Sequence, residues 1–509
     1  MKSFIFLLVL ITNSSNLFAY TKGKVYKLTL LHTNDHHGRF WPNKDGEYGL
    51  AARLSLINTL REEIKRDGGQ VLLLDAGDVN TGVPQSDLQD AEPDFKGMAK
   101  LGYDVMALGN HEFDKPLSTI FKQRKWAGFP FISANIYCKN TKRRIFPSHI
   151  KKEMGDLKVT IFGLTTEDTS VKSNPKNTAN MLFVPAIEEA KKIVPLLKQK
   201  TDVLIALTHM GHYINEAHGS DAPGDVSLAR QVNGIDVIIG GHTQKPLFQP
   251  DIQNGSIIVQ AHEWGKYVGR VDLEFLDGKL SLIKSELIPV NLKDSNTRIL
   301  PDLLMEEFLR PYKEKGDSTL LVELGSADEL FLGGGPGRLL ETNLGNLVTR
   351  AYKDKFKADL ALTNSGGLRD SIYPGVITYE SVLTALPFAG EVGTVELKGS
   401  ELLTYLEYIV FNMNPGSGSF PQLSGVEITA SKEAKKIKTL LINGKELSLD
   451  QKYTLALPEF VAGGGDKYPK LDFKKYGFID ATILKEFIQQ HKTIKNSDYA
   501  ARGYLKFEQ

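Results

Sequence analysis

Five short apolar runs in this chain close on residues that can bind metal ions: "LTLLHTNDHHG", "VLLLDAGDVNTG", "DVMALGNHEFD", "DVLIALTHMGH" and "DVIIGGHTQKP". They bring in Asp35 with His37, then Asp78, Asn110 with His111, His209, and His242 with Gln244. Asp, His, Asn and Gln offer the oxygen and nitrogen ligands that Zn, Mn or another first-row divalent ion accepts. Each i, i+2 pair would share one face of an extended segment. A carboxylate such as Asp78 can serve two ions at once, about 3.5–4 Å apart, the separation used in two-metal hydrolysis.

Each residue alone has an ordinary explanation. A histidine at a strand end is commonly a hydrogen-bonded structural group, and asparagine commonly caps a turn. Six of the 11 histidines fall in the polar clusters that close these runs, however: His36, His37, His111, His209, His212 and His242. That concentration favours a metal centre, with His36, His212, His218 and His262 read as supporting or structural groups. Glu112 reads as solvated or structural.

The elements that must position these groups are legible in the same runs. Stretches this short and this apolar, bounded by Gly and polar residues, fit strands buried on both faces. Helical stretches such as Leu50 to Lys65 and Ala186 to Lys200 lie between them. A layered α/β domain is therefore expected to about residue 270, and in such sheets ligands bind beyond the carboxyl ends of the strands. Leu300 to Asp317 has helical spacing and a basic, Gly-containing end, which predicts a connecting helix before a second domain. The Gly runs 333–335 and 463–465 fit flexible loops, and no Gly-Lys-Ser/Thr follows either of them.

Composition supports two domains, since 509 residues exceed what one hydrophobic core usually serves. A net charge of +1 argues against a broad basic surface for nucleic acid. "MKSFIFLLVLITNSSNLFAY" has a basic Lys2, an apolar run and a small Ala19, which predicts a secretory signal over residues 1–19. No later run is apolar for the roughly 18 residues a spanning helix needs, so no membrane anchor is expected after signal cleavage, and the periplasm is the expected compartment. Cys138, the single cysteine, allows no internal disulfide and reads as a small buried hydrophobe.

In order, "DHHG", "GDVNTG", "GNHEFD", "THMGH" and "GGHTQ" resemble the calcineurin-like metallophosphoesterase family. "TGVPQSDLQDAEPDFKGM" and "AHEWGKYVGR" are similar to its bacterial periplasmic UDP-sugar hydrolase and 5′-nucleotidase branch, and the likeness runs from about Tyr26 to Glu508. The resemblance implies a four-layer α/β sandwich over residues 20–299, a linker helix over 300–317, and an α+β C-terminal nucleotide-recognition domain over 318–509. It implies one metal at Asp35, His37 and Gln244 and another at Asn110, His209 and His242, with Asp78 bridging. Two divalent ions, Zn, Mn or Co, would then activate a bridging hydroxide to attack a phosphate ester or anhydride. His111 and Asp114 match the catalytic dyad: His111 would stabilise charge on the phosphoryl oxygens or leaving group, and Asp114 would orient it and favour its protonated form.

The C-terminal blocks "GRLLETNLGNLVTRAY", "ADLALTNSGGLRDSIYPG", "LTALPFAGEVG" and "LALPEFVAGGGDKYP" are similar to the family's substrate-binding domain. The match implies that Phe388 and Phe460 sandwich the base, although two Phe in apolar surroundings are ordinarily core residues. It implies that Arg338 and Arg369 contact ribose or phosphates, and that Asn364 and Asp466 hydrogen-bond the base and the ribose hydroxyls. Relatives carry a second arginine four positions before the one matching Arg338, where this chain has Gly334, which predicts weaker purchase on polyphosphates and sugar nucleotides. The implied function is a secreted, monomeric hydrolase that takes phosphate from 5′-nucleotides and splits UDP-sugars to UMP and sugar phosphate. The alternatives within the fold are hydrolysis of 2′,3′-cyclic nucleotides, of the NAD pyrophosphate, or of a thiosulfonate. A nucleotide-binding surface protein without catalysis is disfavoured, because binding alone has no need of two metals.

Overall fold

The computed structural model describes residues 20–173, 175–214, 223–413 and 415–508. The expected signal segment 1–19 and His218 lie outside the described residues. The repeated Asp-Val at the strand starts has a structural reason. Asp104, Asp202 and Asp236 each turn a carboxylate sideways to accept the backbone N–H of a residue on the neighbouring strand: Leu73 (3.0 Å), Lys158 (2.7 Å) and Leu204 (2.7 Å). These side chains satisfy a donor on the neighbouring strand one residue before the parallel ladder between the two begins.

Two six-stranded sheets result. The first runs Lys279–Pro289, Tyr267–Leu276, Tyr26–Thr33, Gln70–Asp75, Val105–Ala107, Phe131–Ile132, and its last four strands are parallel. The second runs Asp251–Gln253, Ser256–Val259, Val237–Ile239, Val203–His209, Leu157–Thr165, His149–Met154, with the central four parallel. Leu28, Leu30, Leu72 and Leu74 of one sheet meet Ile161, Val203, Ile205 and Val237 of the other in a shared core. Helix Leu50–Arg66 covers one outer face and helix Ala186–Lys198 the other, each with its own apolar cluster. This is the four-layer α/β arrangement.

Towards the C-terminus a five-stranded sheet runs Pro421–Ser424, Leu360–Asn364, Lys452–Pro458, Glu391–Lys398, Lys474–Ile479. Leu360 and Leu362 face helix Gly399–Asn412 while Ala361 faces helices Asn343–Phe356 and Asp480–His491, the period-2 alternation of a sheet covered on both sides. The register Asn364↔Pro421, Val392↔Pro458 and Glu391↔Ile479 gathers one end of every strand along a single edge.

The connecting helix is Leu303–Leu320, starting and ending three residues later than the expected 300–317. Gly316 does not stop it; there the helix approaches Gln85 so closely that a Cβ would come within 2.8–3.1 Å of that residue. Met305 and Leu309 lie in the core beneath Leu50 and Phe95, whereas Leu320 lies in the core of the C-terminal unit, so one helix is rooted in both. Gln85 Nε2 donates across the junction to Glu380 Oε1 (2.6 Å) and Asp317 Oδ1 (3.3 Å). Cys138 departs from expectation: it is only half-buried, at the end of the short strand Ile136–Cys138. Among the described residues no helix is long and apolar enough to cross a membrane.

Candidate metal centre and substrate cavity

All seven expected ligands converge where strands of the two N-terminal sheets end. Asp35, His37 and Asp78 offer ligand atoms within 4.8 Å of one another, and so do Asp78, His209 and His242, which makes Asp78 common to both groups. The expected geometry of the i, i+2 pairs is corrected. Strand Tyr26–Thr33 stops short of Asp35, and Asp35 (φ 51°), His37 (φ 49°), His242 (φ 80°) and Gln244 (φ 55°) all adopt left-handed backbone, as does Asp78 (φ 59°). The side chains reach the centre from tight turns. Such conformations cost roughly 1–3 kcal/mol each and persist where surrounding contacts enforce them.

Those contacts can be named. Glu112, fully buried and not solvated, accepts the N–H groups of Asp78 (3.0 Å), Val79 (2.8 Å), Asn80 (3.2 Å) and Gly109 (2.7 Å), clamping the turn that carries Asp78. Asn34 Nδ2 and the His242 N–H both donate to Asp35 Oδ2, at 2.7 and 2.9 Å. His37 Nδ1 donates to the Thr81 carbonyl (2.7 Å) and His209 Nδ1 to the Ala76 carbonyl (2.7 Å), so both rings turn Nε2 inward. Carbonyl anchoring of this kind selects the tautomer a ligand needs.

The residues fit a cation pair. Asp35 Oδ1 is buried without a hydrogen-bond partner, an arrangement that bound metal would relieve, and His209 Nε2 points at Asp78 Oδ2, 3.0 Å away. Gln244 Nε2 lies 2.7 Å from His37 Nε2, and turning the amide over presents its oxygen to the same point. His242 Nδ1 and Asn110 Oδ1 stand 2.8 Å apart. Electrostatics point the same way. Burial opposes a charge on His209, yet Asp78 and Asp35 raise it to about 10. Burial likewise opposes ionisation of Asp78, but His209, His111 and His37 hold its carboxyl well below the usual range.

His111 and Asp114 occupy a single 3-10 turn, His111–Asp114. Nδ1 of His111 donates to Asp114 Oδ2 (2.6 Å), which also accepts from Thr81 Oγ1 (2.8 Å). Burial disfavours the imidazolium, but Asp114 and Asp78 outweigh it and raise the histidine. The backbone N–H of His111 donates to Asp78 Oδ1 (2.8 Å), so the dyad and the shared carboxylate are mechanically joined. Of the other histidines, His36 pairs with Asp94 (2.9 Å) and His212 with Asp251 (2.9 Å), away from the ligand groups.

One cavity of about 630 Å³ joins this centre to the edge of the five-stranded sheet. Asp78, Asn110, His111, Asp114, His242 and Gln244 line it from one side, and Arg338, Asn364, Arg369, Phe388, Phe460 and Asp466 from the other. Asp35, His37 and His209 are buried behind the wall. The Phe388 ring stacks on His111 (centroids 6.0 Å apart, 15° between planes), and the Arg369 guanidinium lies 5.7 Å from its centroid. Phe460 rests on Gly465, where a Cβ would come within 2.5–2.6 Å of the ring. Asn364 Nδ2 donates to Asp466 Oδ2 (2.8 Å). Gly334 has φ 66° and ψ −141°, a conformation open essentially to glycine alone, so an arginine side chain here would require a different backbone. Sequence reasoning passed over Asn34, Thr81, Asp168 and Tyr213, the last two also in the cavity wall. Neutral and acidic residues in turns carry no periodic signal that would have marked them.

Comparison with known proteins agrees with this geometry. The family model for calcineurin-like phosphoesterases matches residues 28–246, and that for the 5′-nucleotidase C-terminal domain matches residues 324–472. The chain is 47% identical to a 5′-nucleotidase of Vibrio parahaemolyticus, across 95% of this chain and 92% of the relative. It is 43% identical to Protein UshA of Escherichia coli, across 97% and 96%. Among solved structures, a 5′-nucleotidase precursor from Thermus thermophilus superposes with a TM-score of 0.77 at 28% identity, covering 95% of this chain and 99% of that one. With a ligand set suited to divalent metal, a buried His–Asp pair and full-length relatives of this kind, the chain belongs to the 5′-nucleotidase family of metal-dependent calcineurin-like phosphoesterases.

Proposed function

We propose that the protein is an exported, monomeric hydrolase that removes phosphate from 5′-nucleotides and splits UDP-sugars into UMP and sugar phosphate. The observation that carries this reading is a cavity in which the candidate metal-ligand set and an aromatic, arginine-bearing wall face each other. Residues 20–299 form the metal-bearing unit and 318–509 the recognition unit in this reading, with the linker helix between them and residues 1–19 serving as an export signal to the periplasm. Asp35, His37 and Gln244 would hold one ion and Asn110, His209 and His242 the other, with Asp78 available to both; Zn, Mn or Co would suit these nitrogen and oxygen donors. When bound, the ions lower the pKa of the attacking water and draw electron density from the phosphoryl oxygens.

The chain's own groups do the rest. His111, its Nδ1 held by Asp114, keeps Nε2 for the phosphoryl oxygens and stabilises the charge that grows there. Arg338 and Arg369 hold phosphate or ribose with their planar forks. Phe388 and Phe460 take the base between their faces, while Asn364 and Asp466 hold the base and the ribose hydroxyls. The test is release of phosphate and sugar phosphate from AMP, ATP and UDP-glucose, with Mn, Co or Zn restored after chelation and His111→Ala as control. Metal-dependent turnover of AMP and UDP-glucose, lost in the control, is the expected outcome. A protein that cleaves p-nitrophenyl phosphate but no nucleotide would overturn the reading.

A further inference from the structure

A cation that the proposed chemistry leaves unused is buried behind the ligand turns. Arg53, in the first turn of helix Leu50–Arg66, is fully buried, and its guanidinium is pressed against Gly265, where a Cβ would come within 1.4 Å of Nη2. Nη2 donates to His36 Nδ1 (3.2 Å), while Nε and Nη1 have no hydrogen-bond partner among the described residues. Stability does not account for such a group, since an apolar side chain of similar size commonly replaces a buried charge without loss.

The guanidinium stands instead where two buried arms meet, each leading to a turn that carries candidate ligands. Because arginine only donates, His36 Nδ1 must accept, which leaves Nε2 to donate to Asp94 Oδ1 (2.9 Å); Asp94 Oδ2 in turn accepts from Ser86 Oγ. His36 is thereby held at both ring nitrogens, and it lies between Asp35 and His37 in the chain. The second arm starts at Tyr103, whose hydroxyl is pushed up by burial and drawn back by the neighbouring guanidinium. That hydroxyl lies 2.7 Å from Thr33 Oγ1, which donates to Asp75 Oδ2 (2.6 Å), and Asp75 Oδ1 accepts the Gly77 N–H (2.9 Å) just before Asp78. The two turns touch directly, with the Asp35 N–H on the Gly77 carbonyl (2.8 Å) and the His37 N–H on the Asp78 carbonyl (3.0 Å). Trp264, next to Gly265, adds its N–H to the Asp35 carbonyl (2.7 Å).

Resting on the reading that Asp35, His37 and Asp78 hold metal, we propose that Arg53 is a positioning residue for the metal centre, its guanidinium fixing the turn of Asp35 and His37 against the turn of Asp78 through His36 on one side and Tyr103 on the other. A planar fork can serve two arms at once, which a lysine ammonium on its flexible stem does not. Glu112 shapes the Asp78 turn itself; Arg53 sets where that turn stands relative to its neighbour. Left-handed backbone at Asp35, His37 and Asp78 persists only under such enforcement.

The experiment titrates Mn into the chelated wild type, Arg53→Met and Arg53→Lys, and measures urea unfolding of each chelated protein. Arg53→Met should bind Mn roughly 10- to 100-fold more weakly, the usual cost of losing a group that orients ligands. Its urea midpoint without metal should stay near that of the wild type, because the methionine fills the site and burial already holds Asp75 and Asp94 at about 7, where they can become neutral. Arg53→Lys keeps the charge but serves one arm only, and it should also weaken binding, so the test survives if the methionine variant does not fold. Unchanged Mn affinity in a folded variant overturns this inference alone. So does a loss of affinity matched by an equal loss of stability in the chelated protein, the mark of a purely structural group. A wild type that binds no Mn after chelation overturns the metal reading and this inference with it.

Discussion

Replacing Glu112 by Gln should cost this protein both stability and metal. The carboxylate accepts four backbone N–H groups, two on each oxygen: Asp78 and Gly109 on Oε2, Val79 and Asn80 on Oε1. Glutamine has almost the same shape but offers one oxygen and one NH2, so two of the four amides would face a donor. Losing two bonds to a charged acceptor, at about 1.5–3 kcal/mol each, gives about 3–6 kcal/mol, a large share of the 5–15 kcal/mol that usually holds a folded protein. The same bonds keep Asp78 at φ 59°, so relaxation of the turn would withdraw the carboxylate common to both candidate ligand groups. Denaturant unfolding of the chelated protein reads the first effect, and titration with Zn or Mn reads the second as weakened binding of both ions. A Glu112→Gln protein within about 1 kcal/mol of wild type and with unchanged metal affinity would refute the argument.

Phe388→Ala or Phe460→Ala should raise KM for AMP more than for p-nitrophenyl phosphate; equal losses on both substrates would count against the base sandwich. Asp114→Asn should move the alkaline limb of kcat to lower pH. The reason is that Asp114 and Asp78 raise His111 above its ordinary 6.5 despite burial, so the protonated form persists to higher pH in the wild type and loses that support in the variant. An unmoved limb would separate His111 from that limb. Chelation should abolish turnover and lower the melting temperature, with both restored by Zn, Mn or Co; at a free metal concentration of about 1,000 times Kd the linkage contributes about 4.1 kcal/mol per site. Activity that survives exhaustive chelation would exclude a metal-dependent reaction.

Much of the molecule was legible in the chain because its signals are local. Apolar runs of strand length, closed by Asp, His, Asn or Gln, announced parallel strands with ligands at their carboxyl ends, and residue type alone narrowed the chemistry to divalent metal. The candidate ligand positions could be read without the backbone that carries them, and there the inference erred: extended pairs were expected at Asp35/His37 and His242/Gln244, and left-handed turns are what the fold contains. Nothing in the sequence marks those turns, because they are enforced by partners distant in the chain, such as Glu112 on Asp78 or Asn34 and His242 on Asp35. Glu112 itself looked like an ordinary charged residue, since a glutamate reveals its burial only through the amides around it. The end of the linker helix was hidden likewise: beyond the Gly-containing stretch it continues to Leu320, with Gly316 packed on Gln85. Above all, the chain order says which residues can bind a metal or stack a base, but only the tertiary structure sets Phe388 against His111 and opens one cavity between them. A pocket of that kind arises from contacts between residues hundreds of positions apart, and no local pattern encodes those contacts.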